Sequence, residues 1–331
     1  EDDEGHGTHV AGIAAAADQG DGALGVASQA TIVVAKVLDA TGYGTDAQVL
    51  CGLDHVAALA ADGVPTVVNL SLGEAHTEGT GCASSATHQA ICNLTAANVT
   101  VVAAAGNTPE DAGSFYPAAY PETIAVSAFT ALDGQPGFYE CGYYILDGLL
   151  YECDEALASF TSFGSIVDVT APGVRVWSTT FDGAHGGNSG TSMAAPFVAG
   201  AAALILAKNP TLDPAAVRSI LQSSGECPDG ATAGAPTCAG HGQWPMSNGF
   251  TGTIPDPDGI PEPLINVFAA VAASPAVTDT TPPEVTSSSP ADGATYVAGI
   301  DTVTCSSACG DSATGVARCS GDVADGELVD T

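Results

Sequence analysis

Three short segments, far apart in the chain, carry residue types that could act together. His6 opens the run HGTHVAGIAA, Asn107 ends VVAAAGN, and Ser192 sits in GTSMAAPFVAG. A serine at the N-terminus of a helix lies beside backbone N–H groups that no intrahelical carbonyl satisfies, and these favour a developing negative charge. A side-chain amide at the end of a neighbouring strand would add a second donor to the same oxyanion. A histidine within hydrogen-bond reach would take the serine's proton. Taken singly, each residue has a plainer reading, as a structural histidine, a turn asparagine and an N-cap serine. Together they supply nucleophile, base and oxyanion donors, the parts of acyl transfer.

Such a constellation needs elements to hold it. The β-branched runs TIVVAKVL (31–38), VPTVVNLSL (64–72), NVTVVAAAG (98–106), TIAVSAF (123–129) and SIVDVTAPG (165–173) read as strands buried on both faces. Between them DAQVLCGLDHVAALAADG and SSATHQAICNLTAAN carry helical periodicity, so the class is α/β with a mostly parallel sheet between helices. FVAGAAALILAKN, after Pro196, is apolar on every side and reads as a central core helix. Its apolar stretch of 11 residues (197–207) is too short for a membrane span. Further helices are expected in DPAAVRSILQSS and PEPLINVFAAVAA (261–273). Pro, Thr and Ser then take over in SPAVTDTTPPEVTSSSPADGATY, a linker composition. The expected organisation is a domain over 1–275, a linker over 276–283 and a small β-module over 284–331.

Charge excludes some partners. Five Lys and Arg stand against 38 Asp and Glu, a net charge of −33, so nucleic acid and anionic lipid would be repelled from most faces. Adaptation to salt and a simple solubility device are both open explanations. The chain carries ten cysteines and no C-x-x-C pair. Short loops closed by Cys82 with Cys92, Cys141 with Cys153, and Cys227 with Cys238 point to disulfides and an oxidising compartment. Zinc is the rival reading for the first pair, because His88 lies between the cysteines. Cys51, on the apolar face of a helical pattern, is expected to be a buried free thiol. Cys305, Cys309 and Cys319 are left over as an odd number.

GHGTHVAGIAA, VVNLSLG, VVAAAGN and GTSMAAPFVAGAAALIL, in that order, resemble the motifs of the subtilisin-like serine protease family, with the match running to about residue 275. The resemblance implies a three-layer fold and peptide-bond hydrolysis through an acyl-enzyme, without a catalytic cofactor. It assigns His6 as general base, Ser192 as nucleophile and Asn107 as oxyanion-hole side chain. Gly42, Tyr43 and Gly44, with Ser71, Leu72 and Gly73, match the two edges between which the family lays its peptide substrate as an extended strand. Ala104, Ala105 and Gly106 match a wall of the primary specificity pocket. Phe115 falls where many members carry glycine near the pocket floor, which argues against a deep pocket for aromatic side chains. Protein or peptide substrates, a propeptide in the precursor, a monomer and an extracellular location are further implications.

Several features depart from the family pattern. The stretch 133–156 reads as an insertion, either a surface excursion or an aromatic lip on the cleft. A second departure is 225–260. Asp18 and Asp21, in the loop after the His6 helix, stand where members bind calcium and offer hard oxygen ligands, although in so acidic a chain a solvated acidic turn is the favoured reading. The sequons at Asn93 and Asn98 matter only in a eukaryotic secretory route. The segment 284–331 resembles the start of a bacterial immunoglobulin-like module, whose sandwich needs about 100 residues. The family's triad runs Asp, His, Ser, with the aspartate upstream of the histidine. No upstream strand or signal peptide precedes His6 here. The expectation is therefore an internal piece of a longer secreted endopeptidase, nearly inactive by itself. The alternative is a non-catalytic binding or scaffold protein on the same fold. Asp39 and Asp168 are the substitute partners a rewired triad would use. Asp2, Asp3 and Glu4 lie nearer, but acids just before a helix are explained by its dipole.

Overall fold

Local chemistry sets where the helices begin. Thr45 Oγ1 accepts from Gln48 N at 3.4 Å while Gln48 Oε1 accepts from Thr45 N at 2.8 Å, a reciprocal cap that starts α2 (Asp46–Ala60). Asp213 accepts from Ala216 N at 2.7 Å, and with Pro214 in the first turn it starts α5 (Pro214–Ser223). The computed structural model describes residues 2–20, 22–61, 63–79, 81–131, 141–145, 149–228, 230–234, 237–240, 243–247, 253–276, 284–289 and 306–310, without the side chains of 141–152, 254, 284–289 and 306–310. Two compact units divide it, Glu1–Pro275 and Ala276–Thr331.

In chain order the first unit contains α1 (His6–Ala15), α2, β1 (Val67–Leu70), β2 (Glu74–Ala75), α3 (Ala86–Ala96), β3 (Thr100–Ala104), β4 (Phe115–Tyr116) and β5 (Thr123–Thr130). Then come β6 (Cys141–Ile145), β7 (Leu149–Cys153), β8 (Ala156–Leu157), β9 (Val169–Pro172), β10 (Val176–Thr179), β11 (His185–Asn188) and α4 (Thr191–Lys208). After these follow α5, β12 (Met246–Ser247), β13 (Thr253–Ile254) and α6 (Val267–Ala273). The main sheet runs β1-β3-β5-β8-β12-β13, with β9 also on β5. The pairs β1/β3, β3/β5 and β5/β9 are parallel, whereas β8 lies antiparallel to β5. In the second unit β14 (Glu284–Ser289) pairs antiparallel with β15 (Ser306–Gly310).

Every residue of β3 and β5 is buried, which is why these runs are apolar rather than alternating. On one face of the sheet α4 packs Ala194, Ala195, Ala201, Ala202 and Ile205 against Val102, Ile124, Val126 and Val169. Alanines along α4 let the backbone come close to the sheet. On the opposite face Leu53 of α2 and Ile91 and Leu94 of α3 meet Val68, Leu70 and Val101. The result is the α/β class that the periodicity implied, in the three-layer form that the resemblance implied. α4 extends over 18 residues, longer than the apolar run alone suggested. By length and composition it would suit a membrane, but most of its residues are buried inside this core.

Two expectations fail. Residues 31–38 form no strand, and Ile32, Val33 and Val34 are exposed, the last at 73%. A strand exists only through a neighbour's backbone hydrogen bonds; among the described residues this run has no partner, and β1 ends the sheet order. Cys51 is a free thiol but an exposed one. Val49, Leu53, Val56 and Ala60 are the α2 residues that pack against α3 and the sheet. At 100° per residue Cys51 lies about 200° from both Val49 and Leu53, on the opposite face.

The 133–156 insertion contains the antiparallel β6–β7 hairpin, whose register sets Cys141 opposite Cys153. Cys153 is disulfide-bonded. The side chain of Cys141 and the insertion's aromatic side chains lie outside the described residues, as do Cys305 and Cys319 and the side chain of Cys309.

Candidate active site

The serine lies where a helix begins with an open N-terminus. Gly190, the residue before α4, has φ +152°, a conformation that side chains disfavour. A Cβ placed there would sit 3.4 Å from Asn107 Nδ2, 3.5 Å from Asn107 Oδ1 and 3.7 Å from Ser192 N. Glycine thus leaves a small space bordered by the whole Asn107 amide group and by the Ser192 N–H. Asn107 is oriented by its other end: Oδ1 accepts from Thr191 N at 2.8 Å and from Thr191 Oγ1 at 3.0 Å. Thr191 Oγ1 in turn accepts from Gly106 N at 3.2 Å. Oδ1 also borders the space, but it is occupied by these bonds, so Nδ2 is the amide atom left to donate there. Ser192 N has no hydrogen-bond partner among the described residues, as the second residue of a helix should not.

The serine's other neighbours come from the end of β1. Ser71 Oγ donates to Ser192 O at 2.7 Å, Asn69 Nδ2 donates to Ser71 Oγ at 2.9 Å, and Ser192 Oγ donates to Ser71 O at 3.4 Å. Asn69 and Thr191 position the site, yet the sequence reading passed them over. One signal was available: Asn69 is a polar residue inside an otherwise apolar strand.

His6 is the first residue of α1, which packs on α4 through Val10, Ile13, Met193 and Phe197. Among the described residues its ring makes no hydrogen bond, to Ser192 or to any carboxylate. Catalytic contacts are commonly long in unliganded structures and tighten with substrate. Burial lowers the His6 pKa below the usual imidazole value, with Glu4 and Asp2 acting against it and His9 with it. The nearby acids are committed elsewhere. Asp2 accepts from Gly5 N at 2.9 Å and from Thr8 N and Oγ1 at 2.7 and 2.6 Å, which ties down the start of α1. Burial raises the Asp2 carboxyl, but the Thr8 hydroxyl and the Gly5, Thr8 and Glu4 amides outweigh it and hold it well below the carboxylate range. Glu4 accepts from His6 N at 2.9 Å, and Asp3 pairs with Lys36 at 3.2 Å. Asp39 accepts from Thr41 and Tyr43 in an exposed turn. Asp168 is bound by Gln222, Ala125 and Arg218. Neither of the last two serves His6.

The expected substrate edges differ in kind. Ser71, Leu72 and Gly73 lead from β1 into β2, which pairs antiparallel with β4 and so brings Phe115 alongside. A Cβ on Gly73 would meet the Phe115 ring at 2.6 Å, and one on Gly106, at φ +114°, would meet it at 3.1 Å. The Phe115 ring therefore fills the volume between the Ser71–Gly73 edge and the buried Ala104–Gly106 wall. On the other edge Gly42, Tyr43 and Gly44 form an exposed turn, with Tyr43 77% exposed.

Metal and disulfide readings also separate. Cys82–Cys92 and Cys227–Cys238 are disulfides. Cys82, His88, Cys92 and Glu122 do gather within 4.8 Å, but the sulfurs are bonded to each other. His88 Nε2 is 2.9 Å from Glu122 Oε2, and the ring stacks on Tyr120. Asp18 accepts from Gly20 N at 3.1 Å on the surface, and Asp21 lies outside the described residues.

The fold is a three-layer α/β one in which Ser192, beside the oriented Asn107 amide, and His6 stand at the starts of two helices, α4 and α1, that pack on each other. The model of the subtilase family matches residues 1–242. Subtilisin NAT of Bacillus subtilis subsp. natto is 39% identical over 227 residues, 68% of this chain and 51% of that protein. Subtilisin of Bacillus pumilus is also 39% identical over 227 residues, 71% of its length. Subtilisin-like serine protease Pen ch 13 of Penicillium rubens is 36% identical over 239 residues, 70% of this chain and 51% of that protein. The crystal structure of a cold adapted subtilisin-like serine proteinase superposes with a TM-score of 0.56 at 33% identity, covering 71% of this chain and 73% of that one. The chain belongs to the subtilase family. It spans about half the length of several of the relatives it matches.

Proposed function

We propose that this chain is the peptidase core of a secreted serine endopeptidase, with residues 1–275 as the catalytic domain, 276–283 as a linker and 284–331 as part of an immunoglobulin-like module. Ser192 attacks the scissile carbonyl, His6 takes the serine's proton and returns it to the leaving amine, and the Asn107 amide with the Ser192 N–H holds the oxyanion. The observation that carries this reading is the space beside Gly190, flanked by Asn107 Nδ2 and Ser192 N. A fold kept only as scaffold has no need to orient that amide. The chemistry uses no cofactor, and the disulfides, Cys82–Cys92 and Cys227–Cys238 among them, suit an oxidising, extracellular setting. Substrates are proteins or peptides; the full precursor carries a propeptide, and the enzyme works as a monomer.

The test is covalent. A fluorophosphonate is expected to form a slow adduct with this chain at Ser192, located by peptide mass mapping and gone in Ser192→Ala. A second reading, a non-catalytic scaffold, is favoured by the lack of a carboxylate on the His6 ring among the described residues. It would be established if Ser192 stayed unlabelled even after His6 had been given such a partner.

Phe115 sets the expected preference. Its ring occupies the pocket between Gly73 and Gly106, so small side chains are favoured next to the scissile bond. Phe115→Gly is expected to raise kcat/KM for peptides with a large apolar residue there by roughly tenfold or more. No gain relative to substrates with alanine at that position would remove Phe115 as the specificity element.

A further inference from the structure

The helix that carries His6 meets the hairpin leading to Ser192 at one rung of a ladder. β10 and β11 pair antiparallel with Ser178 opposite Gly186, and the chain runs on from β11 through Ser189 and Gly190 into α4. His9, on the same helix as His6, touches both strands at that rung. Its Nε2 lies 3.0 Å from Gly186 O, and its own carbonyl accepts from Ser178 Oγ at 2.8 Å. Beside it Thr8 O accepts from Thr179 Oγ1 at 3.0 Å. Gly12 permits the approach, because a Cβ there would run into the Ser178 and Thr179 hydroxyl oxygens.

His9 is only 4% exposed, and the proposed acyl transfer does not use it. A carbonyl oxygen only accepts, so the ring nitrogen that faces Gly186 carries hydrogen. Burial lowers the His9 pKa, with backbone groups of Gly186 and Val176 opposing it, so near neutrality the ring makes this bond uncharged. The contact of α1 with α4 is apolar, Val10 and Ile13 against Met193 and Phe197, and apolar contact is non-directional. Hydrogen bonds are directional, so Thr8 and His9 set the register of α1 along the hairpin. Asp2 ties the start of α1 to its own first turn rather than to the hairpin.

We propose that His9 is a positioning residue: by clamping α1 to the Ser178–Gly186 rung it fixes where His6 stands against Ser192. The inference rests on the reading of His6 as base and Ser192 as nucleophile. His9 acts through its two neighbours in the fold, the helix that carries the base and the hairpin that delivers the nucleophile. Without the ring, α1 keeps its apolar contacts but loses the bond to β11, and the Gly186 carbonyl loses its donor. A shift of about 1 Å between reacting groups is enough to cost about 10² in rate.

Labelling by a fluorophosphonate, followed to saturation, separates binding from reaction. His9→Ala is expected to lower the limiting rate at Ser192 by about 10- to 100-fold and to leave the half-saturating concentration unchanged. His9→Gln, whose side-chain amide also donates, is expected to recover most of that rate. Leu221→Ala, which opens a cavity in the α5 core, is expected to lower the melting temperature yet leave the limiting rate unchanged. Hydrogen exchange reads the clamp without any reaction: amides of α1 and of the β10–β11 hairpin are expected to exchange faster in His9→Ala than in Leu221→Ala. Should His9→Ala not fold, Ser178→Ala removes the other half of the clamp and is expected to slow labelling several-fold. A limiting rate that His9→Ala leaves unchanged, or that Leu221→Ala lowers equally, overturns the positioning role while the parent's labelling upholds the serine reading. A parent unlabelled at Ser192 brings down that reading and the positioning role with it.

Discussion

Joining a strand that ends in aspartate ahead of Glu1, so that its carboxylate reaches His6, is expected to speed fluorophosphonate labelling of Ser192 by about 10⁴. That order is taken from subtilisin itself, a relative of this chain, where loss of the aspartate alone costs about 3 × 10⁴ in kcat. The physical cause is orientation. An imidazole that accepts a proton at one nitrogen must hold the other N–H against a fixed acceptor, or it spends its time in the wrong tautomer. Here every nearby carboxylate is committed: Asp2 to Gly5 and Thr8, Glu4 to the His6 amide, Asp3 to Lys36. Meanwhile the serine hydroxyl rests on the Ser71 carbonyl. The added strand has a place to pair, since β1 ends the sheet and the apolar run 31–38 lies exposed.

The pH profile gives an independent check with a definite sign. Burial lowers the His6 pKa, so in the chain alone the neutral base persists into mild acid and the acid limb of labelling falls below the usual histidine range. A carboxylate on the ring favours imidazolium, so the limb should move to higher pH as the rate rises. Equal rates and superimposable profiles for the two proteins would sink the assignment of His6 as a base awaiting a carboxylate.

How much of this was legible in the sequence depends on whether a feature is local. The buried strands β3 and β5 announce themselves as continuous apolar runs, and Gly190-Thr191-Ser192 announces a helix start beside a serine hydroxyl. By contrast, 31–38 has the composition of a strand but lacks a neighbour, and composition cannot report a missing partner. Cys51 was placed on the wrong face because several alanines in α2 blur its apolar stripe. The carboxylates at 256, 258 and 262 look like an ordinary acidic turn in so acidic a chain. Only the packing of that turn against Trp244 buries Asp256 and Glu262. Phe115 was read from a motif position, but its effect depends on the β2–β4 pairing that swings the ring between Gly73 and Gly106.

Arg218→Ala is expected to destabilise the fold by about 2 kcal/mol, less than for a fully buried pair because both side chains keep some contact with solvent. Arg218 projects from α5 and bridges three acceptors. Its Nη2 donates to the Pro121 and Thr123 carbonyls, and its Nε lies 3.6 Å from Asp168 Oδ2. Asp168 is also fixed by Gln222 Nε2 at 2.9 Å and Ala125 N at 3.0 Å, so it cannot turn to solvent when the guanidinium goes. Lysine is a poor substitute, since one ammonium cannot serve this forked geometry.

The sign with pH separates this account from a simple loss of packing. Burial raises the Asp168 pKa, with Arg218 and the Ala125 amide opposing it. Deleting Arg218 removes that opposition and raises the folded-state pKa further. A carboxyl whose pKa is higher folded than unfolded favours the fold below its unfolded value and loses that contribution as pH rises through the folded value. The deficit of Arg218→Ala, measured by urea unfolding, should therefore be largest near neutrality and shrink in mild acid. Asp168→Asn placed on Arg218→Ala should recover part of it at neutral pH, because the two residues act as one unit. A deficit that is constant with pH, and additive with Asp168→Asn, would mean that Arg218 holds α5 to the β5 entrance through its two carbonyl contacts alone.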